Sequence, residues 1–354
     1  MKRENLRNEK TDNSWLVGGI IGAGALIALT VWRKKQKEFQ FRDKVVLITG
    51  GSRGLGLVLA RQFADEAAKL AICARDAEEL ERAKDDLETH GAEVFAEVCD
   101  VRNQSEVEDF VESVVSQFGR IDVLINNAGV IQVAPLENQT QKDFEEAMRV
   151  HFWGAFYTMQ AVIPILKRQG AGRIVNISSI GGKVAIPHLA PYSASKFALV
   201  GLSSAMRGEL AKDNIYVTTV CPGLMRTGSH VNATFKGQNE LEFAWFSLGD
   251  ATPLTSISAE SAAEQIVEAT RRGDAELIIS VQAKILAKMN ALLPELTAEI
   301  LGLANHFLPS AGGIGENYAT GLESTSAVSP SFLTSSIDAA AQNNNELEPN
   351  EVLA

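Results

Sequence analysis

Cysteine is scarce: 354 residues hold three, Cys73, Cys99 and Cys221. None belongs to a Cys-x-x-Cys pair, and their spacing suits no metal site. That excludes a zinc module and a disulfide framework, and scattered thiols of this kind imply a reducing compartment. Basic charge is also in deficit, with 33 Lys and Arg against 44 Asp and Glu, a net of -11. No basic stripe crosses the central region, so nucleic acid is not an expected partner. From Ser310 onward the shortage is complete: six acidic residues and no basic one. That stretch is rich in Ser, Ala, Asn and Gly, and residues 310–354 are expected to form a disordered acidic tail. What remains is the composition of a globular protein, 45% apolar and 22% charged.

The polar N-terminus, residues 1–14, precedes an uncharged run of 18 residues from Trp15 to Trp32. As a helix it would reach about 27 Å, close to the ~30 Å hydrocarbon core of a bilayer. A Trp stands at each end, where aromatic belts sit. The run is too long for the apolar part of a signal peptide, and no small-residue cleavage site follows it. Residues 15–32 are therefore expected to be a single membrane-spanning anchor. Four Lys and Arg precede this run and six follow it closely. The bias toward the C-terminal side predicts that the chain after the run is cytoplasmic, with residues 33–43 as a basic linker. Gly18 and Gly22 have the spacing that pairs two such helices, which leaves a homodimer open.

From Lys44 the chain alternates short apolar runs with helical patterns. Runs at 44–48, 71–74, 94–99, 121–125, 173–178, 215–220 and 276–281 read as strands. Helical patterns separate them, including a long one from Phe144 to Lys167. This alternation predicts an α/β fold, a doubly wound parallel sheet of the Rossmann type with about seven strands. Ligands of such sheets sit at the carboxyl ends of the strands.

The motifs fall at those ends. After the first strand comes Thr49-Gly50-Gly51-Ser52-Arg53-Gly54-Leu55-Gly56, then a helix. Glycines permit a tight turn and close backbone approach, and the helix N-terminus attracts a pyrophosphate. Asp100-Val101 ends the third strand and Asn126-Asn127-Ala128-Gly129 the fourth. The strand at 173–178 leads to Ser179, and a helix follows that carries Tyr192 and Lys196. Those two lie four residues apart, on one helix face. Tyrosine's ordinary pKa of about 10 is too high for proton exchange at neutral pH. A neighbouring ammonium would favour the phenolate and lower that value.

Taken together, the glycine turn, the Asn-Asn-Ala-Gly segment, Ser179, Tyr192 and Lys196 resemble the short-chain dehydrogenase/reductase family over residues 42–282. The glycine spacing is Gly-x-x-x-Gly-x-Gly, distinct from the commoner dinucleotide fingerprint. The resemblance implies that Gly50, Ser52, Arg53, Gly54, Leu55 and Gly56 line the pyrophosphate. It implies that Asp100 and Val101 meet the adenine, with Asn127, Ala128 and Gly129 backing the ribose side. Pro222, Gly223 and Thr227 would contact the nicotinamide end, and Lys196 the ribose hydroxyls. Tyr192 would be the acid/base, Ser179 would hold the substrate oxygen, and Lys196 would tune Tyr192. The catalytic domain is then residues 44–282.

Ala74, not an acidic residue, ends the second strand, and Arg75 follows. With Arg53 in the turn, two guanidinium forks could hold a 2′-phosphate, so NADP(H) is the expected cofactor. His151 stands where the family has an asparagine that supports the proton relay. It is expected to assist catalysis and, by charging near Lys196, to depress activity below about pH 6. Residues 223–258 lose regular patterning and carry Phe235, Phe243, Trp245 and Phe246. They read as a long, structureless lid whose aromatics either bind an apolar substrate or pack onto the core. Residues 283–309 form a C-terminal helical extension, divided at Pro294, that covers the core, pairs subunits or lies on a bilayer, with core packing the leading expectation. No metal site is expected. The expected function is NADP(H)-dependent interconversion of a carbonyl and an alcohol, on a lipophilic small molecule at a membrane. A catalytically weak NADP(H) sensor or a membrane scaffold is the alternative.

Overall fold

A computed structural model describes residues 39–252, 255–326 and 328–348. The expected anchor at 15–32 and most of the linker lie outside the described residues. Among the described residues, no helix is long and apolar enough to cross a membrane.

The core is built from β1 (Val45–Thr49), α1 (Gly54–Asp65), β2 (Lys69–Ala74), α2 (Ala77–Thr89), β3 (Val94–Val98), α3 (Gln104–Phe118) and β4 (Val123–Asn126). It continues through α4 (Gln141–Met148), α5 (Ala155–Gln169), β5 (Gly172–Ile177), α6 (Ala190–Leu210) and β6 (Ile215–Pro222). Then come α7 (Asn239–Ala251), α8 (Ala259–Arg272) and β7 (Glu276–Ile279). The seven strands form one sheet in the order β3-β2-β1-β4-β5-β6-β7, and every pairing is parallel. This is the doubly wound Rossmann-type sheet that the alternation predicts. The strand order reverses between β1 and β4, which opens a crevice at their carboxyl ends.

Val45, Val46, Leu47 and Ile48 are wholly buried. A parallel strand covered by helices on both faces needs such an unbroken apolar run. Burial of each such side chain contributes about 1.5–3 kcal/mol. At the carboxyl ends the register changes chemistry. Thr49 pairs with Asn126, Asn126 with Asn176, and Asn176 with Thr219, so a row of polar residues crosses the sheet. Asn126 Nδ2 donates to Asn176 Oδ1 (2.8 Å), and Asn176 Nδ2 donates to Ser203 Oγ (3.0 Å). Thr219 Oγ1 donates to the same Ser203 oxygen at 2.7 Å. These buried groups are costly unless paired, and they fix α6 against the sheet directly beneath the crevice.

Four expectations need correction. The single helix expected over 144–167 is α4 and α5 joined by a π turn, Arg149–Gly154, which holds His151. The lid is not structureless, since α7 runs through it. Phe235, Phe243 and Phe246 are buried in a cluster with Val133 and Leu189. Beyond β7, α9 (Val281–Leu292) and α10 (Pro294–Asn305) divide at Pro294 as expected, but they do not pack mainly on the core. Only Ala283 and Thr297 are buried in them, whereas Ile285, Leu292, Leu296, Ile300 and Leu303 are exposed. Finally, the described part of the tail is ordered. Its α11 (Ser335–Asn343) buries Ile337 and Ala341, and Leu347 beyond it is buried too. A few small apolar residues and several asparagine amides hold the tail, and neither stands out in a stretch so rich in small and polar residues.

Candidate active site

The turn after β1 has the shape its glycines allow. Gly50 adopts φ +62°, and a Cβ there would lie 2.9 Å from Ala128 Cα. A Cβ on Gly56 would overlap the Gly50 carbonyl oxygen, so no larger residue fits. Asn127 Nδ2 donates to that oxygen (2.8 Å), and Thr49 Oγ1 accepts from the backbone N–H groups of Asn127 (3.1 Å) and Ala128 (3.2 Å). Asn127 and Ala128 therefore brace the turn. Leu55 is buried within the first turn of α1. Arg53 is the N-cap residue of α1, yet no side chain caps that helix end. Ser52 donates to Glu79, and Arg53 pairs with Glu79 at 2.9 Å. Glu79 is a partner that the sequence reading missed.

Arg75 is exposed just beyond β2. Asp76, next to it, is used locally: its carboxylate accepts from Glu79 N–H at 2.8 Å and caps α2. Asp100 makes a bidentate pair with Arg102. Burial alone would raise its pKa, but the Arg102 hydrogen bonds and charge, with Arg75 further off, hold it below the usual carboxylate range. Val101 packs against the π turn, where a Cβ on Gly154 would lie 2.9 Å from its Cγ2. On the other side of the crevice, Pro222 ends β6 and Gly223 N–H donates to Ile279 O at 3.2 Å. Thr227 is buried and donates from Oγ1 to Ser229 Oγ at 2.9 Å.

Ser179, Tyr192 and Lys196 come together. Ser179 Oγ accepts from Gly181 N–H at 3.0 Å, and its hydroxyl is hydrogen-bonded to Tyr192. A Cβ on Gly181 would lie 3.2 Å from Tyr192 Cε1 and 3.4 Å from Ser179 Oγ, so this glycine lets the two side chains approach. Lys196 Nζ donates to Ile177 O (2.9 Å) and sits 5.5 Å from the Tyr192 ring centre. The expected tuning of tyrosine by lysine does not appear in this arrangement. Burial pushes Tyr192 up to about 12, opposed by its hydrogen bond with Ser179. Burial pushes Lys196 down to about 7. Desolvation is the largest cause for both groups. Tyr192 also packs against the apolar cluster of the lid, as do Ile131, Ile186 and Trp245.

His151 meets this site edge-on, 5.4 Å from the Tyr192 ring. Its Nε2 accepts from Val130 N–H at 3.0 Å, so the proton of the neutral ring is on Nδ1. Nδ1 faces Ser195 Oγ at 2.7 Å, and that hydroxyl donates to Tyr192 O at 2.8 Å. Both ring nitrogens are thus taken by protein. Burial, and then the Lys196 charge, pushes the His151 pKa well below its ordinary value. The expectation that His151 charges near pH 6 is therefore wrong, because a fully enclosed imidazole beside a lysine resists protonation.

Among the described residues, no group of three or more His, Cys, Asp or Glu side chains could hold a metal ion. The three cysteines are free and buried.

Residues 44–236 match the family model for short chain dehydrogenases. The chain belongs to that family. It is 33% identical over 294 residues to the dehydrogenase/reductase SDR family protein 7-like of Drosophila melanogaster, covering 80% of this chain and 88% of the relative. A crystal structure of an actinorhodin polyketide ketoreductase variant with NADPH aligns with a TM-score of 0.59 at 30% identity, over 67% of this chain and 95% of that one. A short-chain dehydrogenase/reductase from Burkholderia phymatum in complex with NAD aligns with a TM-score of 0.66 at 23% identity, over 73% and 96% of the chains. The protein is thus an oxidoreductase of this family, with the fold that binds a nicotinamide cofactor and a small-molecule substrate.

Proposed function

We propose that the protein is an NADP(H)-dependent oxidoreductase that interconverts a carbonyl and an alcohol on a lipophilic substrate. The observation that carries this reading is the assembly of Ser179, Tyr192 and Lys196 beside an apolar wall that includes Ile131, Ile186 and Trp245. The crevice fits a dinucleotide. The end of α1 lacks a side-chain cap, and the carboxylate of Glu346 stands in for an anion there, 3.4 Å from Arg53. Gly50, Ser52, Gly54, Leu55 and Gly56 would hold the pyrophosphate. Asp100, Val101, Asn127, Ala128 and Gly129 would line the adenosine half, and Pro222, Gly223 and Thr227 the nicotinamide half.

The bound dinucleotide would supply or accept the hydride. In the reductive direction, Ser179 O–H holds the substrate oxygen and Tyr192 Oη gives it a proton. Lys196 would bind the ribose hydroxyls. Its own pKa, already about 7, lets it exchange a proton near neutrality. NADP(H) is favoured over NAD(H) because Ala74 leaves no carboxylate at the end of β2, Asp76 is committed to its cap, and Arg75 is exposed there. Similarity to a ketoreductase solved with NADPH supports the same choice.

We place the protein at a membrane through residues 15–32, with residues 44–282 on the cytoplasmic side. A lipophilic substrate suits that location. Steady NADPH oxidation by the full chain with a panel of lipophilic ketones and aldehydes tests the reading. Tight NADPH binding without turnover of any carbonyl would refute it in favour of a sensor.

A further inference from the structure

The tail lies in the crevice that the cofactor would use. α11 rests on Gly228, where a Cβ would overlap the Ala341 backbone. Ala341 and Leu347 pack with Val231 and Leu322. The three residues after the helix then cross the glycine turn. Asn344 O accepts from Gly54 N–H at 2.9 Å, which occupies a free N–H at the start of α1. Asn345 Nδ2 donates to Ser52 O and to Glu79 O, both at 2.9 Å. Glu346 Oε1 fills the space over Gly54, 2.5 Å from where a Cβ would stand. Its Oε2 lies 3.4 Å from Arg53 Nε and accepts from Asn232 Nδ2 at 2.8 Å. Asn344 Nδ2 reaches the other half of the crevice and donates to Thr227 O at 3.2 Å.

The segment therefore touches Ser52, Arg53 and Gly54 on the phosphate side and Thr227 on the nicotinamide side. A carboxylate and a carbonyl take up the N–H and guanidinium donors that an anionic pyrophosphate would need. We infer that residues 335–348 are an intramolecular ligand of the dinucleotide crevice, and that the cofactor binds only when this segment withdraws. The inference rests on the reading of the glycine turn as the cofactor site. It assigns the tail a function: the enzyme is held closed by its own chain, and whatever draws the tail away activates it. The contacts suit reversal. They are hydrogen bonds and the ion pairs of Glu346 with Arg53 and of Glu348 with Arg82, over a small apolar footprint. When a fraction of the protein is closed, the apparent cofactor affinity falls by that fraction.

The test uses the full chain with Glu346→Arg, which sets two guanidinium groups against each other, and with Asn345→Ala, which removes two hydrogen bonds without adding charge. NADPH and NADH are each titrated, and amide hydrogen exchange of residues 335–348 is followed with and without cofactor. The expected result is at least a tenfold tighter Kd in Glu346→Arg, a smaller gain in Asn345→Ala, and faster tail exchange when cofactor binds the wild type. Equal affinities in all three proteins would overturn the inference. So would cofactor-induced protection of the tail, which would make it a clamp over the cofactor. If the variants bind dinucleotide more tightly but reduce no carbonyl, the inference stands and the proposed function fails. Binding of neither cofactor to any of the three overturns both.

Discussion

Replacing His151 with asparagine isolates the cost of burying a neutral imidazole. In the folded chain His151 stays unprotonated, because burial and Lys196 push its pKa well below the ordinary value. In the unfolded chain it titrates at about 6.5. The group's pKa is thus depressed by folding. As pH falls through about 6.5 the unfolded state gains a proton that the folded state does not, so stability drops. Protonation of the unfolded histidine is worth about 1.4 kcal/mol at pH 5.5 and under about 0.1 kcal/mol at pH 7.5. Asparagine has no such titration, and all other groups are common to both proteins. Urea unfolding of the full chain and of His151→Asn, in a mild non-ionic detergent at both pH values, gives the comparison. The advantage of wild type over variant should shrink by about 1.4 kcal/mol between pH 7.5 and 5.5. Over the same interval the two activity profiles should run parallel, since His151 does not charge in the folded enzyme. An unchanged stability gap, or an acid limb of kcat present only in the wild type, would refute the reasoning. His151→Leu adds a control: it strands the Val130 N–H, at a cost of about 1–3 kcal/mol.

Other consequences are as direct. Arg75→Asp places an anion where a 2′-phosphate would lie, and titration of both cofactors should show the NADPH preference erased or inverted; unchanged discrimination would remove Arg75 from the account. Lys196→Met should abolish turnover yet raise stability by at least about 1 kcal/mol in urea unfolding, because folding forces the ammonium down to about 7. In a eukaryotic host, glycosidase treatment should leave the mass unchanged if the domain is cytoplasmic. Asn103, Asn138 and Asn232 each begin an Asn-x-Ser/Thr acceptor pattern; Asn138 is buried and Asn232 binds Glu346, so a luminal domain would show its sugar on exposed Asn103.

The parallel sheet was legible because its strands are short, unbroken apolar runs and its turns are glycine-rich. Tyr192 and Lys196 were legible as a pair on one helix face, and with Ser179 and the glycine turn their order resembles the short-chain dehydrogenase/reductase family. What escaped the sequence depended on distant partners. Glu79 reaches Ser52 and Arg53 only after α2 packs beside α1. The tail docks through Asn344 and Asn345, whose amides bond to backbone groups far along the chain, so composition reads them as solvated. The charge state of His151 depends on complete enclosure by the Val130 backbone, Ser195 and the Tyr192 ring, and no local pattern reports that. The exposure of α9 and α10 was hidden for the opposite reason: an apolar helical face looks the same whether or not the chain itself covers it.

The central claim is proton transfer by Tyr192 at a nicotinamide site. Its most direct measurement is NADPH oxidation by the full chain, with a lipophilic ketone that supports turnover, compared between wild type and Tyr192→Phe. The phenylalanine keeps the ring and removes only the hydroxyl. The account predicts a fall in kcat of about 10²–10⁴-fold with NADPH affinity retained. Equal kcat in the two proteins would contradict it.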